Sequence, residues 1–515
     1  NPTQLVSFGT SGHRGTSVDG TFTDLHVAAI TQAICDGRKQ FGATGPIFVG
    51  QDTHALSQPA LVTVLEVLAG NGVTAMVDCD MDFVPTPSVS RAIIRYNEEH
   101  DDKADGIIIT PSHNPPDNGG IKYNTIIGGP ADTVVTKWIE MRANEYLTAY
   151  CESEDFKRIS IDNIEPTAQV PYDYKGLYVE ELGDVINMEA IKAAGPKVLV
   201  DTLGGSGASY WNAIKERYGL DLTIIHDDYD PTFSFMTYDH DGKVRMDCSS
   251  TYVMASVINR IGDFDLAVGN DPDYDRYGIV VSSGLISANT FLTLAARYLF
   301  TTRGWKNKGV GKTVVCTTMI DKWAADAEIP VFEVPVGFKY FSQLLFDGAI
   351  GIGGEESAGA SFLKKDGTVW TTDKDGMIMA LLSMEIMAVM GKSALKMADE
   401  SLEEFGNPSF GRIDAPCKKE QKQILKQMSA ELITATTVDG DPITNIRTTS
   451  LYNDMPIDGV RVETDKGWFV ARPSGTEDLY KIYGESYKGD LGLVALLTAG
   501  EEIVNAALNG TIETE

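Results

Sequence analysis

Ser112 stands in the run Thr110-Pro-Ser-His-Asn-Pro115, a serine held between two prolines with a histidine beside it. Prolines leave such a loop few backbone options, and the imidazole offers the hydroxyl a proton-transfer or hydrogen-bonding neighbour. The run follows Gly106-Ile-Ile-Ile109, a β-branched stretch that reads as a buried strand, and precedes Gly120-Ile-Lys122. The serine is therefore expected on a loop at the carboxyl end of a strand, where open α/β sheets place their chemistry.

Four more segments carry groups of the same kind. Asp271-Pro-Asp-Tyr-Asp-Arg276 alternates three carboxylates after an apolar run. Alternation lets Asp271, Asp273 and Asp275 turn toward one centre, and three anionic oxygens suit a hard cation such as Mg²⁺. An EF-hand calcium loop is ruled out, because its sixth position is Arg276 rather than glycine and its twelfth is Ser282 rather than glutamate. Arg276, next in sequence, is expected to offset the excess negative charge. Gly353-Gly-Glu-Glu-Ser-Ala-Gly359 places Glu355 and Ser357 after another apolar run, in a chemistry that suits sugar hydroxyls. Arg472-Pro-Ser-Gly-Thr-Glu477, with Lys481, combines a guanidinium, two hydroxyls and glycine-exposed amides, the parts of a phosphate cradle. Gly9-Thr-Ser-Gly-His-Arg-Gly15 brings Arg14 on a glycine-rich loop able to approach an anion. No nucleotide fingerprint is present: Gly311-Lys-Thr313 lacks the P-loop glycine, its place being taken by Lys306, and Gly204-Gly-Ser-Gly207 does not continue as GxGxxG.

The elements that must position these loops alternate along the chain. Ile47-Phe-Val49, Val198-Leu-Val200 and Leu266-Ala-Val268 read as strands ending in polar or glycine-rich loops, with helical patterns such as Ala60 to Ala69 and Leu292 to Phe300 between them. This predicts α/β architecture with parallel pairing. At 515 residues the chain exceeds one core, and boundaries are expected near 165, where Ile164 to Pro171 reads as a linker, near 285 and near 405. The expected units are 1–165, 166–285, 286–404 and 405–515. A net charge of −30 disfavours nucleic-acid and anionic-membrane partners and requires a local basic pocket for any anionic substrate. Six scattered cysteines without a CxxC pair suit a reducing, cytoplasmic setting. The apolar stretch Met377 to Met390 reads as a core helix too short to span a bilayer.

Taken together, the five segments resemble the α-D-phosphohexomutase superfamily from Gly9 to about Glu485, in that family's order, and most closely its glucose-specific bacterial members. The resemblance implies four domains around a central cleft, three related α/β units with mixed sheets and a smaller C-terminal α+β domain. It implies that Ser112 carries the transferable phosphate, with Asp271, Asp273, Asp275 and a phosphoserine oxygen holding Mg²⁺. Arg14 and Arg276 would lie beside that phosphate, and His113, Lys122 and Lys374 would handle protons or position substrate. Glu355 and Ser357, with Gly337 and Lys339 nearby, would meet the sugar, and Arg472, Ser474, Gly475, Thr476 and Lys481 the distal phosphate. The Glu355-Glu-Ser357 form resembles glucose-specific members. The implied reaction interconverts glucose 1-phosphate and glucose 6-phosphate through glucose 1,6-bisphosphate, in a monomer or homodimer. A mutase of broader sugar specificity, a phosphosugar phosphatase and a non-catalytic binder are the alternatives.

Overall fold

The structure is a computed structural model that describes residues 1–9, 11–149, 156–473 and 479–512. Three of its four sheets repeat one theme. In the first, strands Ala75–Asp78, Ile47–Gln51 and Asp105–Ile109 lie side by side and parallel, and Asn118–Asn124 adds antiparallel to the last. The second repeats this with Leu222–Ile225, Val198–Asp201 and Leu266–Asn270, then Tyr277–Val281 antiparallel. The third does so with Val331–Val334, Gly309–Thr313 and Ile350–Gly354, then Ala360–Phe362. The central strands are buried along their whole length, as helices on both faces of a mainly parallel sheet require.

In every unit the turn from the third strand into its antiparallel neighbour is a segment singled out for chemistry: 110–117, 271–276 and 355–359. Each turn also holds one non-glycine residue in the left-handed region, Ser112 at φ 60°, Tyr274 at 62° and Ala358 at 65°. Such a backbone costs on the order of 1–3 kcal/mol and persists only where its surroundings impose it. Three repeats of that strain, at three equivalent turns, mark one shared device.

The fourth sheet is antiparallel throughout, in the order Ser409–Pro416, Leu479–Ser486, Gly467–Pro473, Pro456–Thr464, Asp441–Thr449 and Thr437–Val438. Helix Gly489–Ile512 covers it, with Leu496, Leu497, Val504 and Leu508 in the core. Its stretch Gly489–Asn509 is long and apolar enough to cross a membrane by length and composition. Adjacent Glu501 and Glu502 break its apolar run, so it does not stand out in the sequence as Met377 to Met390 does.

Helix Gly376–Met390 is apolar but for Ser383 and Glu385, the latter paired with Arg303, and is buried from Gly376 to Ile386. It touches the strands Leu266–Asn270 and Tyr277–Val281 of the second sheet as well as Ala360–Phe362 of the third. The second and third units therefore share one continuous core, running from Tyr178 to Phe405. The Ile164 to Pro171 segment is less of a linker than its composition suggests. Gln169–Tyr172 pairs parallel with Ala75–Asp78 and forms an edge of the first sheet, so that sheet extends past residue 165. Pro171 is tolerated there because an edge strand has one side without ladder bonds, and Tyr172 packs edge-on against Phe48.

Candidate functional site

The turns of the first two units meet at Ser112. Its backbone N–H donates to Thr110 Oγ1 at 2.7 Å, and its hydroxyl donates to Asp271 Oδ2 at 3.0 Å, with His113 Nδ1 3.4 Å away. Gly120 lets the returning strand close on this loop: a Cβ there would stand 2.2 Å from Thr110 O. The second and third turns are tied directly, because Arg276 bridges Gly359 across the backbone and Tyr277 N–H donates to Ala358 O at 3.1 Å. Lys374 arrives on the start of helix Gly376–Met390, whose N-cap Asp375 accepts from Ile378 N–H, while Gly376 N–H donates to Tyr274 O at 2.9 Å.

Asp271, Asp273 and Asp275 are fully buried, and one carboxylate oxygen from each lies within 4.8 Å of the other two. Two lysines offset them. Lys122 Nζ lies 2.6 Å from Asp273 Oδ2 and 3.1 Å from Asp275 Oδ2, and Lys374 Nζ lies 2.8 Å from Asp275 Oδ2. Burial works against the Lys122 cation, but Asp273 and Asp275 outweigh it and hold its pKa above the ordinary value. Burial, reinforced by Asp273 and Asp275, drives the Asp271 carboxyl well above its usual range. Burial likewise opposes ionisation of Asp275, yet Lys122, Lys374 and Arg276 win and its pKa falls.

Adjacent Arg276 adds to this compensation as expected, but at longer range: its guanidinium donates to Asp247 Oδ2 at 3.1 Å and pairs with Asp275 Oδ1 at 4.0 Å. A magnesium-sized ion fits the donors that remain. Asp273 Oδ1 and Asp275 Oδ1 are buried with no hydrogen-bond partner, and the set is all oxygen.

Arg14 donates to Ser11 Oγ at 3.2 Å; burial pulls its pKa down against the attraction of Asp273 and Asp275. His113 Nε2 lies 3.9 Å from Asp247 Oδ2, and burial, helped by the Arg276 cation, lowers the imidazole to about 3. Glu355 and Ser357 occupy the hairpin turn between Ile350–Gly354 and Ala360–Phe362. A cavity of about 40 Å³ opens between the first and third units, lined by Ser11, Lys122, Asp275, Lys339, Glu355 and Lys374 among others. Lys339 Nζ donates to Thr133 Oγ1 at 2.8 Å, while Gly337, at φ 132°, precedes the helix Lys339–Phe346. Arg472 and Lys481 are cross-strand partners in the fourth sheet. Ser474, Gly475 and Thr476 lie outside the described residues.

Two residues of the site escape motif reading. Asp247 holds Arg276 and faces His113. Thr86, at the start of helix Thr86–Glu99, donates its hydroxyl to Asp273 Oδ2 at 2.8 Å and its N–H to Asp273 O at 2.9 Å. Each is one contact delivered from a distant part of the chain, with no sequence periodicity to announce it.

This arrangement has known counterparts. Models of the phosphoglucomutase/phosphomannomutase α/β/α domains I, II and III match residues 5–149, 177–284 and 287–405, and that of the C-terminal domain matches 414–491. The chain belongs to the phosphoglucomutase/phosphomannomutase family. It is 47% identical over 509 residues to a phosphoglucomutase of Komagataeibacter xylinus, covering 98% of this chain and 91% of the relative. Phosphoglucomutase 1 of Saccharomyces cerevisiae is 26% identical over 91% of this chain and 85% of its own. The fold matches that of parafusin, an exocytosis-sensitive phosphoprotein and phosphoglucomutase of Paramecium in its open form. That comparison gives a TM-score of 0.74 at 21% identity, over 98% and 96% of the two chains. Membership in the phosphoglucomutase/phosphomannomutase family makes the chain an enzyme, a phosphotransferase of the mutase kind.

Proposed function

We propose that the chain interconverts glucose 1-phosphate and glucose 6-phosphate, with Ser112 as phosphate carrier and glucose 1,6-bisphosphate as intermediate. The observation that carries this reading is the Ser112 hydroxyl, strained at φ 60° and directed at Asp271 in a buried carboxylate triad. The named activity of the relative from Komagataeibacter xylinus supports it.

Phosphoryl transfer needs an in-line oxygen and charge neutralisation more than covalent elaboration. The sugar oxygen attacks phosphorus as the Ser112 Oγ–P bond breaks, giving the bisphosphate. After the sugar reorients, Ser112 Oγ takes back the other phosphate and releases the isomer. Asp271, Asp273, Asp275 and a phosphoserine oxygen would hold Mg²⁺, which neutralises charge on the transferring group when bound. Arg14 and Arg276 would lie beside that phosphate, and His113, Lys122 and Lys374 would handle protons or position the substrate, the Lys122 ammonium suiting the second role. Glu355 and Ser357 accept from sugar hydroxyls, with Gly337 and Lys339 beside them. Arg472 and Lys481, with Ser474, Gly475 and Thr476, grip the second phosphate. The boundaries expected near 165, 285 and 405 would separate the units carrying these groups, with the edge strand Gln169–Tyr172 still belonging to the first sheet. The cysteines found unpaired among the described residues support a cytoplasmic setting.

A coupled assay of glucose 6-phosphate formation, with magnesium and a trace of glucose 1,6-bisphosphate, tests the substrate. Turnover of mannose 1-phosphate equal to or above that of glucose 1-phosphate sinks the glucose assignment, and steady release of inorganic phosphate favours a phosphatase.

Glu355 gives the reaction a pH limb. Burial raises its carboxyl to about 7, with Lys374 opposing and Glu356 adding to the shift. The ionised form accepts from sugar hydroxyls, so KM for glucose 1-phosphate is expected to rise as pH falls through about 7. In Glu355→Gln that dependence should flatten; an unchanged limb assigns the titration elsewhere.

A further inference from the structure

The polar network behind Ser112 uses two residues that no motif includes. Asp52 follows strand Ile47–Gln51, and its side chain and that of His54 are fully buried. The Asp52 carboxylate has all its acceptor positions filled. Oδ1 accepts from Ser57 Oγ at 2.6 Å and His54 N–H at 3.0 Å; Oδ2 accepts from Thr110 Oγ1 at 2.6 Å and His54 Nδ1 at 2.8 Å. Because Thr110 spends its proton on Asp52, its oxygen is left to accept the Ser112 N–H at 2.7 Å. The direction of each bond is fixed in sequence from carboxylate to serine.

His54 grips the other side of the same turn. Its Nε2 lies 3.0 Å from Asn114 O and its Nδ1 faces Asp52, so both ring nitrogens meet acceptors and both must carry protons. The imidazolium this requires is consistent with a pKa raised, against burial, by Asp52. Phe233 of the second unit packs at 5.0 Å between ring centroids and closes the pair from solvent. The ion pair thus holds Thr110 two residues before Ser112 and Asn114 two residues after it.

We propose that Asp52 and His54 are positioning residues that clamp the serine loop from both sides and impose the left-handed backbone aiming Ser112 Oγ at Asp271. The proposal rests on the reading of Ser112 as phosphate carrier. The clamp contacts no reacting atom and acts through Thr110 and Asn114. Misplacing a nucleophile by about 1 Å costs on the order of 100-fold in rate, which sets the expected scale.

The test follows phosphate uptake by Ser112 from glucose 1,6-bisphosphate by intact mass, alongside hydrogen exchange of the peptide spanning 106–120. Asp52→Asn removes the charge that holds the His54 imidazolium and turns one acceptor into a donor, set either against the Thr110 hydroxyl and His54 Nδ1 or against Ser57 Oγ and the His54 N–H. Uptake and kcat are expected to fall about 10- to 100-fold with KM for glucose 1-phosphate little changed, and the Ser112 amide to exchange faster. Thr110→Val should reproduce the loss, and Thr110→Ser, which keeps the hydroxyl, should restore most of the rate. Wild-type uptake and exchange in Asp52→Asn and Thr110→Val, with the original chain active, overturn the clamp and leave the mutase reading standing. An original chain that never takes up phosphate overturns both.

Discussion

Ser112→Ala is expected to end turnover, lowering kcat by on the order of 10⁴ or more, as loss of a covalent nucleophile does. Alanine keeps the Cβ and therefore the same left-handed backbone cost, so the loop has no new reason to move. Only the hydroxyl is lost, together with its 3.0 Å bond to Asp271 Oδ2. The coupled assay measures the rate, and intact mass should show no phosphate added by glucose 1,6-bisphosphate. A variant that retains activity removes Ser112 from the mechanism. Ser112→Gly sharpens the point: it too should be inactive, but glycine adopts φ 60° without the Cβ penalty. It is expected to be more stable by about 1 kcal/mol, read as a higher Tm. Activity and stability moving in opposite directions would show that the strain belongs to the site rather than to packing.

The strands carrying this loop and its counterparts were legible because buried parallel strands are continuous β-branched runs, as in Ile107-Ile-Ile109 and Leu266-Ala-Val268. Their threefold repetition was only hinted at. Thr110-Pro-Ser-His, Asp271-Pro-Asp-Tyr-Asp and Glu355-Glu-Ser-Ala share a hairpin geometry and one left-handed residue, but serine, tyrosine and alanine fill that position, so no common residue betrays it. Arg276 was legible only in part. Sequence adjacency to Asp275 gives one charge partner, at 4.0 Å, whereas the closer cations come from Lys122, far earlier in the chain, and Lys374, far later. Long-range partners such as Thr86 and Asp247 follow from the packing of one unit on another, which local patterns do not encode. Gln169–Tyr172 was hidden by its proline, a residue that composition assigns to linkers and that an edge strand can nevertheless hold.

Asp273→Asn is expected to cost about 10²- to 10³-fold in kcat/KM, equivalent to roughly 3–4 kcal/mol of transition-state stabilisation. Asp273 divides its two oxygens between different tasks. Oδ2 accepts from Lys122 Nζ at 2.6 Å and Thr86 Oγ1 at 2.8 Å, whereas buried Oδ1 has no hydrogen-bond partner and is the atom left for a cation. An asparagine keeping its carbonyl toward Lys122 and Thr86 must turn its NH₂ to the metal side, presenting a donor where an anionic oxygen belongs. Turning the amide over instead sets that donor against the Lys122 ammonium. Either orientation also leaves Lys122 with Asp275 as its one anionic contact of the two recorded. Activity should therefore disappear at magnesium concentrations that saturate the original chain after EDTA treatment, and return in part at higher ones. Thr86→Val serves as the scale: it removes one hydrogen bond to the same carboxylate but no ligand charge, and should cost only about 1 kcal/mol, a several-fold effect. If Asp273→Asn kept both the rate and the magnesium requirement of the original chain, the unpartnered oxygen would not be a metal ligand, and the triad would have to be read as an anchor for the two lysines.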